Sequence, residues 1–384
     1  MNPLYAAMPV SVFERMSLAA AAHGAVNLGQ GFPDFGWPEP LVAEAARLLM
    51  EGSNQYPPSR GLPALRQAVA DHYDRHHGLA LTAEHVLITS GATEAIAATI
   101  FALVSAGEEA IVIAPAYDAY APLVRRVGGI VREVALRPPE WRIDEAALTA
   151  AVTPRTRLLI LNNPHNPTAR LFDAAELAAV ARVAERHDLL VLADEVWEHV
   201  LPADRAFTPF ASLPGMAART LKCGSAGKIF SLTGWKVGWL VAPPELTAAI
   251  AKAHQFLTFA TPPNLQAAIA FGLAQDEWLP AMRSAFTAAR DRLADGLRDS
   301  GYALLPSEGT YFQCVDLAAS GILLDDQAFA TLAVEQAGVA VIPLSPFYED
   351  EPATNLVRLC FAKKEETIAA GLAAMDRARG LALA

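Results

Sequence analysis

Lysine is scarce in this sequence, and one of its six lysines stands where a reactive amine would be useful. Lys228 follows the small residues 224–227, which come directly after an apolar run that ends at Cys223. A Walker-type phosphate loop would need a glycine near position 222 and a Ser or Thr after the lysine, but the sequence has Lys222 and Ile229 there. The nucleotide-binding interpretation therefore fails, and the pattern favours a lysine that reacts as a nucleophile.

Lys228 can act as a nucleophile only when its amine is neutral. A free lysine amine has a pKa of about 10.4, so roughly one molecule in 2,500 is neutral at pH 7. A working Schiff-base lysine therefore needs burial or a nearby cation, and Lys236 could supply that cation. Lys252, on a helical stretch, and the charged pair Lys363 and Lys364 are expected to lie on solvated surfaces.

Two further segments offer an anion site and a buried carboxylate. Residues 89–94 follow an apolar run and open a helical pattern, so the backbone N–H groups of Gly91, Ala92 and Thr93 would point at a phosphate. Taken alone, this turn could equally well cap a helix. Asp194 ends an apolar run, where a buried carboxylate needs a cation or a strong donor. A helix cap or a surface carboxylate is the alternative at that position.

Short apolar runs recur along the middle of the chain and alternate with helical patterns. The clearest helix is predicted at Leu171–Arg186, with Asp173 as its N-cap and Glu176 as the capping-box partner. Continuous apolar strands separated by helices indicate an α/β fold with a mostly parallel sheet covered on both faces, whose ligands bind beyond the carboxyl ends of the strands. The predicted strands are Val86–Thr89, Ala110–Ala114, Ile130–Val134, Leu158–Leu161, Leu189–Ala193, Thr220–Cys223 and Val237–Val241.

The two ends of the chain differ from this middle part. Asn27–Asp34 is rich in Pro and Gly and is predicted to be an ordered, irregular arm. Ala281–Ser300 is predicted to be a long amphipathic helix, followed by strands at Tyr311–Val315, Val339–Ile342 and Leu356–Phe361 and by a terminal helix. The expected division is an N-terminal arm (1–40) that packs with the small domain, a large ligand-binding domain (41–280) and a small α+β domain (281–384).

Composition and charge exclude several classes of protein. The 384 residues are 53% hydrophobic and 18% charged, so disorder is excluded as the dominant state. With 30 Lys and Arg against 41 Asp and Glu, the net charge is −11, which is unfavourable for binding the negatively charged backbone of a nucleic acid. Cys223, Cys314 and Cys360 form neither a disulfide framework nor a zinc pattern, and no apolar stretch approaches the roughly 18 residues of a bilayer span. We therefore expect a cytoplasmic protein with no metal, nucleic-acid or membrane partner.

Taken together and in order, the motifs of this chain resemble those of the class I/II, fold-type I pyridoxal-phosphate aminotransferases. The resemblance covers nearly the whole chain and is greatest to the branch that contains kynurenine/glutamine transaminases and bacterial methionine aminotransferases. It implies a mostly parallel, seven-stranded sheet in a large cofactor-binding domain, with helices on both faces, plus the smaller α+β domain. The segments that carry the resemblance are Asn27–Asp34, Ser90–Glu94, Asn162–Thr168, Asp194–Val196, Ser225–Lys228 and Thr233–Gly238.

The resemblance implies a role for each matching cofactor residue. Lys228 would bind pyridoxal 5'-phosphate covalently and, once released, move a proton between the substrate Cα and the cofactor. Asp194 would pair with the pyridine nitrogen, and Asn166 would donate to the phenolic oxygen of the ring. Tyr117 would stack on the ring face, and the phosphate would be held by Gly91, Ala92, Thr93, Ser225, Lys236 and Tyr56 of the partner subunit. A homodimer with shared active sites follows from this resemblance.

The resemblance also implies the groups that bind the substrate. Arg358 matches the family arginine that binds the α-carboxylate of the substrate. A guanidinium suits this group because it offers a planar fork of paired donors. Asn166 and the backbone of Gly31 would contribute at the same place, and aromatic walls would come from Phe13, Phe256 and Phe259. Because residues 256–262 contain no arginine, we predict transfer of an amino group from a neutral apolar, sulfur-containing or aromatic L-amino acid to a 2-oxo acid. The alternatives are a surface ion pair for the arginine and core packing for the phenylalanines.

Two positions depart from the family pattern. Trp197 replaces a tyrosine whose hydroxyl would donate to the phenolic oxygen of the cofactor, and an indole N–H is a larger and differently placed donor. Ala169 replaces a glycine, at a cost of about 1 kcal/mol if the position requires a positive φ. His165 borders the cofactor motif and is expected to be structural.

Two other functions stay open. One is a cysteine-conjugate β-lyase that uses the same cofactor and the same loss of the Cα proton. The other is a non-catalytic binding or regulatory protein on an aminotransferase scaffold. Retention of Lys228, Asp194 and Arg358 together argues against this second alternative.

Overall fold

The computed structural model describes residues 3–384, and within them the central element is a seven-stranded sheet. In chain order its strands are β2 (Val86–Thr89), β3 (Glu109–Ala114), β4 (Ile130–Ala135), β5 (Thr156–Asn162), β6 (Leu190–Asp194), β7 (Thr220–Ser225) and β8 (Gly238–Val241). Across the sheet they are ordered β2-β8-β7-β6-β5-β3-β4. Strand β8 is antiparallel to both of its neighbours, and the other neighbouring pairs are parallel. The predicted strands are therefore confirmed to within two residues at each end.

Both faces of this sheet are buried, as the continuous apolar runs predict. In β5, Leu158 and Ile160 point into one hydrophobic core, while Leu159 and Leu161 point into another. Successive side chains of a strand point to opposite faces, so a run that is apolar at every position needs cover on both sides. Helices provide that cover, and the prediction of an α/β fold with helices on both faces of the sheet is confirmed.

The helices of this part of the chain include the one that the sequence predicts most clearly. Residues Ala174–Arg186 are helical, Asp173 caps the helix, and both hydrogen bonds of the capping box with Glu176 are present. Between residues 3 and 300 the helices are α1 (Pro3–Ala7), α2 (Val12–His23), α3 (Glu39–Glu51), α4 (Pro63–His77), α5 (Gly91–Leu103), α6 (Tyr120–Arg126), α7 (Glu145–Ala151), α8 (Ala174–Arg186), α9 (Ala226–Ile229), α10 (Pro244–Leu257), α11 (Pro263–Gly272) and α12 (Trp278–Asp299).

The C-terminal part forms a second, antiparallel sheet with the order β12-β13-β10-β9. Its strands are β9 (Ala303–Leu304), β10 (Phe312–Asp316), β12 (Ile342–Pro343) and β13 (Leu356–Cys360), and its helices are α13 (Asp326–Leu332) and α14 (Glu365–Leu383). The N-terminal arm reaches this region, because β1 (Val26–Asn27) pairs in parallel with β11 (Val339–Ala340). The exact division of the chain at residues 40 and 280 stays a prediction.

No helix within residues 3–384 is long and apolar enough to cross a lipid bilayer.

Candidate active site

The carboxyl ends of β5, β6 and β7 lie side by side and open into a cavity of about 260 Å³. Parallel strands end at the same edge of a sheet, so their last residues and the loops that follow are brought together there. Most of the predicted cofactor residues line this cavity. They are Gly91, Ala92, Thr93, Tyr117, Asn166, Asp194, Trp197, Ser225, Lys228 and Lys236.

Lys228 lies in the short helix α9, directly after β7, and its amine is held by aromatic groups. Its Nζ donates to the hydroxyl of Tyr311 at 3.0 Å and lies 4.4 Å from the centre of the Trp197 ring. Burial lowers the pKa of Lys228 to about 8, and the positive charges of Arg358 and Lys236 act in the same direction. The amine is therefore neutral far more often at pH 7 than a solvated lysine, as a nucleophilic role requires.

Asp194, the last residue of β6, presents a carboxylate of which only one oxygen is satisfied. Its Oδ2 accepts from the Tyr120 hydroxyl at 2.5 Å, whereas its buried Oδ1 has no hydrogen-bond partner among residues 3–384. Burial raises the pKa of this carboxyl. Such an oxygen is costly to bury unless a donor meets it, so Oδ1 is suited to a ligand that carries an N–H group.

An anion site lies at the start of α5. Gly91 has φ of +71°, and a Cβ at that position would come within 3.3 Å of Lys236 Nζ. A Cβ on Gly238 would lie 2.7 Å from the backbone nitrogen of Ala92. The absence of these side chains leaves the first N–H groups of a 13-residue helix accessible beside an ammonium group, and this combination binds phosphate well.

Arg358 in β13 is buried without a carboxylate partner among the described residues. Its Nη1 donates to Asn166 Oδ1 at 2.6 Å and its Nη2 donates to the carbonyl of Gly29 at 3.1 Å, while the buried Nε has no partner within residues 3–384. The guanidinium lies 3.7 Å from the Phe312 ring centre and 5.2 Å from that of Phe13. Burial lowers the pKa of Arg358 to about 10, which still leaves it charged at pH 7.

The remaining predicted residues fall into two groups. Gly31 and Phe13 lie beside the site, because the carbonyl of Gly31 accepts from Tyr311 at 2.5 Å and Phe13 faces Arg358. Three aromatic side chains are instead exposed and do not line the cavity of their own chain. The exposed fractions are 87% for Tyr56, 85% for Phe256 and 40% for Phe259.

The two departures from the family pattern have different consequences. Trp197 is buried and turns its ring toward Lys228, edge-on to Tyr311 with ring centres 4.6 Å apart. Ala169 has φ of +61°, so it carries the expected backbone strain of about 1 kcal/mol. Its methyl group is fully buried, which recovers about 0.8 kcal/mol and nearly offsets that strain. His165 is buried and bonds to Thr168 Oγ1 at 2.8 Å.

Two side chains that contact the predicted catalytic residues, Tyr120 and Tyr311, could not be identified from the sequence. Tyr120 lies 74 residues before the carboxylate it contacts, and Tyr311 lies 83 residues after Lys228. No local spacing signals either contact, because each tyrosine reaches the cavity from a different element. Tyr311 precedes β10 of the second sheet, where its apolar surroundings predict only a strand.

Removal of the Tyr311 hydroxyl is expected to lower the pKa of Lys228 further. The hydroxyl accepts from the ammonium form, and one hydrogen bond to a charged group is worth about 1.5 kcal/mol, or roughly one pKa unit. In Tyr311→Phe, the pH midpoint for the reaction of Lys228 with an amine reagent, followed by mass spectrometry, should fall below the midpoint of the wild type. Tyr5→Phe, at an exposed tyrosine, is the control. Equal midpoints in the wild type, Tyr311→Phe and Tyr5→Phe would show that the Tyr311 hydroxyl does not stabilise the ammonium form of Lys228.

Comparisons with known proteins agree in one family. A family model for aminotransferase class I and II matches residues 24–375 of the chain. Methionine aminotransferase of Escherichia coli (strain K12) is 42% identical over 97% of this chain and 96% of its own length. Kynurenine–oxoglutarate transaminase of Dictyostelium discoideum is 35% identical over 93% of this chain and 92% of its own length. The solved structure of N-succinyldiaminopimelate aminotransferase from Mycobacterium tuberculosis has a TM-score of 0.92 and 42% identity, covering 96% of this chain and 97% of its own.

Proposed function

The chain belongs to the class I and II aminotransferases and is a pyridoxal-phosphate-dependent enzyme, and we propose that its amino donors are neutral L-amino acids with apolar, sulfur-containing or aromatic side chains. The acceptor is a 2-oxo acid. Both substrates then carry an α-carboxylate, which is the group that Arg358 would bind.

The residues of the cavity fit the cofactor that this family uses. The unsatisfied Oδ1 of Asp194 suits a protonated ring nitrogen, and the start of α5 with Lys236 suits the phosphate. Asn166 accepts from Arg358 through its Oδ1, so its amide N–H groups are free to donate to the phenolic oxygen. Pyridoxal phosphate supplies an electron sink that stabilises the substrate after loss of its Cα proton.

Lys228 would hold the cofactor between turnovers and carry the proton during the reaction. With a pKa of about 8, the amine can both accept and release a proton near neutral pH. Tyr311 fixes the position of Nζ through the 3.0 Å hydrogen bond, and Tyr120 fixes the Asp194 carboxylate. Each group would thus keep its orientation while the substrate changes.

The buried, unpaired guanidinium of Arg358 is the observation that carries the proposal. A buried cation without an anion is unfavourable, and a substrate α-carboxylate would supply the missing charge. The rings of Phe312 and Phe13 lie at the guanidinium, and Phe347 packs against Phe13 with ring centres 5.5 Å apart. Among the described residues that line the cavity, the cations are Lys228 and Lys236, both assigned to the cofactor, so apolar side chains are favoured over a second carboxylate.

A panel of amino donors tests this proposal directly. The wild-type enzyme would be assayed with methionine, phenylalanine, tyrosine and kynurenine beside aspartate, glutamate and N-succinyl-diaminopimelate. We expect kcat/KM to be at least about tenfold higher for the neutral donors, since a distal carboxylate would be buried without a partner. Higher values for the dicarboxylates would contradict the proposal. Release of pyruvate and ammonia from a cysteine conjugate without any 2-oxo acid would instead show the β-lyase reaction.

Replacing Arg358 by lysine is expected to raise the KM of every donor. A lysine cannot offer the paired donors of the guanidinium, and loss of one charged hydrogen bond costs about 1.5–3 kcal/mol, or roughly 10- to 150-fold. Steady-state kinetics with methionine and with phenylalanine measure the effect. Because both donors share only the α-amino acid group, the two KM values should rise by the same factor; a change confined to one donor would place Arg358 at the side chain instead.

We also propose that two copies of the chain form a dimer with shared active sites. The exposed aromatic residues Tyr56, Phe256 and Phe259 support this, because Tyr56 and Phe259 form an edge-to-face pair on the surface with ring centres 5.5 Å apart. Such a patch would suit burial against a second copy, with Tyr56 reaching the phosphate of the neighbouring site. A solution mass equal to one chain, measured by sedimentation equilibrium, would rule out the dimer.

A reducing compartment, the cytoplasm, is the proposed location. Cys223, Cys314 and Cys360 are buried free thiols, and burial raises the pKa of each of them. Protonated, buried thiols are typical of proteins that are not exposed to oxidants. Detection of the enzyme in an oxidising compartment after cell fractionation would contradict this location.

A further inference from the structure

Histidine side chains gather on one side of α4, away from the residues assigned to catalysis. His72 and His76 are four positions apart on this helix, which places both imidazoles on one face, with ring centres 4.4 Å apart. Asp276, which follows α11 in the chain, brings its Oδ1 to 3.1 Å from His76 Nε2. One ligand atom from each of the three residues lies within 4.8 Å of the other two. Two histidines at this helical spacing, joined by a carboxylate, are the donor set of many zinc sites.

The hydrogen bonds of His72 are incomplete in every tautomer. Its Nε2 lies 2.8 Å from His199 Nε2, and its buried Nδ1 has no partner among residues 3–384. In a neutral imidazole, one nitrogen donates and the other accepts. Whichever ring donates across the 2.8 Å contact, Nδ1 of His72 is left as an unsatisfied donor or an unsatisfied acceptor, which is costly in a side chain that is only 1% exposed.

A metal ion at Nδ1 would resolve this conflict. The ion would take the Nδ1 lone pair, and His72 would then donate from Nε2–H to His199 Nε2. A hydrogen-bond acceptor behind a metal-bound imidazole is the common way in which proteins fix the orientation of such a ligand.

We propose that His72, His76 and Asp276 bind a divalent transition-metal ion, that zinc is the ion these ligands suit best, and that His199 orients His72. Two imidazole nitrogens and one carboxylate suit zinc, and water would complete the coordination. The side chains of His76 and Asp276 are 25% and 48% exposed, so an ion can enter from solvent. Arg75 donates from Nε to the other carboxylate oxygen, Oδ2, at 3.2 Å, and its Nη2 also reaches Oδ1 at 3.4 Å. This ion pair is half-exposed and therefore weak, so an ion at Oδ1 would displace only the longer of the two Arg75 contacts.

A neighbouring group of His77, Glu198 and His199 is less suited to an ion. One oxygen of Glu198 accepts from the Tyr73 hydroxyl at 2.8 Å, and the other lies 2.8 Å from the buried ammonium of Lys222. A second cation there would meet the positive charge of Lys222 in a site that excludes water. The metal is therefore assigned to the outer group on α4.

Such an ion would connect three separate parts of the chain. It would join α4 to the segment between α11 and α12 and, through His199, to the loop that also carries Trp197. Binding to the native state alone adds stability in proportion to the logarithm of the ion concentration. We expect zinc to raise the melting temperature of the enzyme.

Zinc binding to the tag-free holoenzyme tests the proposal. Titration against a chromogenic chelator should give one tight site per chain in the wild type. His76→Ala and Asp276→Ala should each weaken that site by roughly 100-fold, because loss of even an outer partner of a ligand costs 10- to 100-fold. Both positions are partly exposed and have no part in the proposed catalytic site, so the variants should keep their activity without zinc.

His187→Ala is the matched control, because His187 is exposed and belongs to neither histidine group. It should bind zinc as the wild type does and show the same zinc-dependent rise in melting temperature. Equal affinity in the wild type, His76→Ala and Asp276→Ala would place the ion elsewhere and overturn the proposal, as would the absence of saturable binding. Neither result would affect the conclusion on transaminase function, because transaminase activity is measured separately in the same preparations.

Discussion

Replacement of Lys228 by alanine is expected to abolish transamination, with a loss of about 10⁴-fold or more in kcat. The side chain would serve both as the covalent anchor of the cofactor and as the group that moves the Cα proton. Water could not take over both of these roles. Its position supports both roles, because Nζ projects into the cavity between Tyr311 and Trp197 with a pKa of about 8.

The measurement is a visible absorption spectrum of the purified protein before and after mixing with methionine, followed by a 2-oxo acid. In the wild type, the band of the lysine-bound cofactor should disappear with the donor and return with the acceptor. Lys228→Ala should show neither that band nor turnover.

Lys252→Ala provides the control for a simple loss of positive charge, since Lys252 lies exposed on α10. It should retain wild-type rates. Full turnover in Lys228→Ala would show that Lys228 is not required for catalysis. A wild-type protein without the cofactor band, even after addition of pyridoxal phosphate, would mean that Trp197 has altered the cofactor site.

Asp194→Asn is expected to lower kcat/KM by about 10³-fold while the protein stays folded. The change keeps the shape of the side chain, and the amide oxygen can still accept from Tyr120. What is lost is the negative charge at Oδ1, which would otherwise keep the ring nitrogen of the cofactor protonated and able to draw electrons from Cα. Chemistry should therefore suffer far more than cofactor binding.

Stopped-flow rates of the reaction with methionine, together with the dissociation constant of pyridoxal phosphate, separate the two effects. Asp188→Asn is the matched control, because the Asp188 side chain is 94% exposed. A change in kcat/KM of less than about tenfold in Asp194→Asn would show that the carboxylate has a structural role only. A large loss of cofactor affinity at unchanged rate in the loaded enzyme would lead to the same conclusion.

Local patterns in the sequence were enough to predict the architecture. Apolar runs such as Leu158–Leu161 and the capped helix that begins after Asp173 depend on neighbours within a few residues, so they can be identified before the fold is known. The placement of Lys228 and Asp194 in one cavity also follows from topology, because both come at or just after the carboxyl ends of adjacent parallel strands. Arg358 required the family resemblance, since no local spacing links β13 to the cavity.

Only the tertiary structure revealed the contacts between distant elements. Tyr120 and Tyr311 reach the site from 74 and 83 residues away, and the imidazole of His72 meets that of His199 across 127 residues. The cysteine pattern of the sequence argued against zinc, and the contact between His72 and His199 could not be foreseen from their spacing. Side-chain spacing along the chain determines which face of a helix or strand a residue occupies, whereas packing between elements determines which faces meet, and that choice depends on the whole core at once.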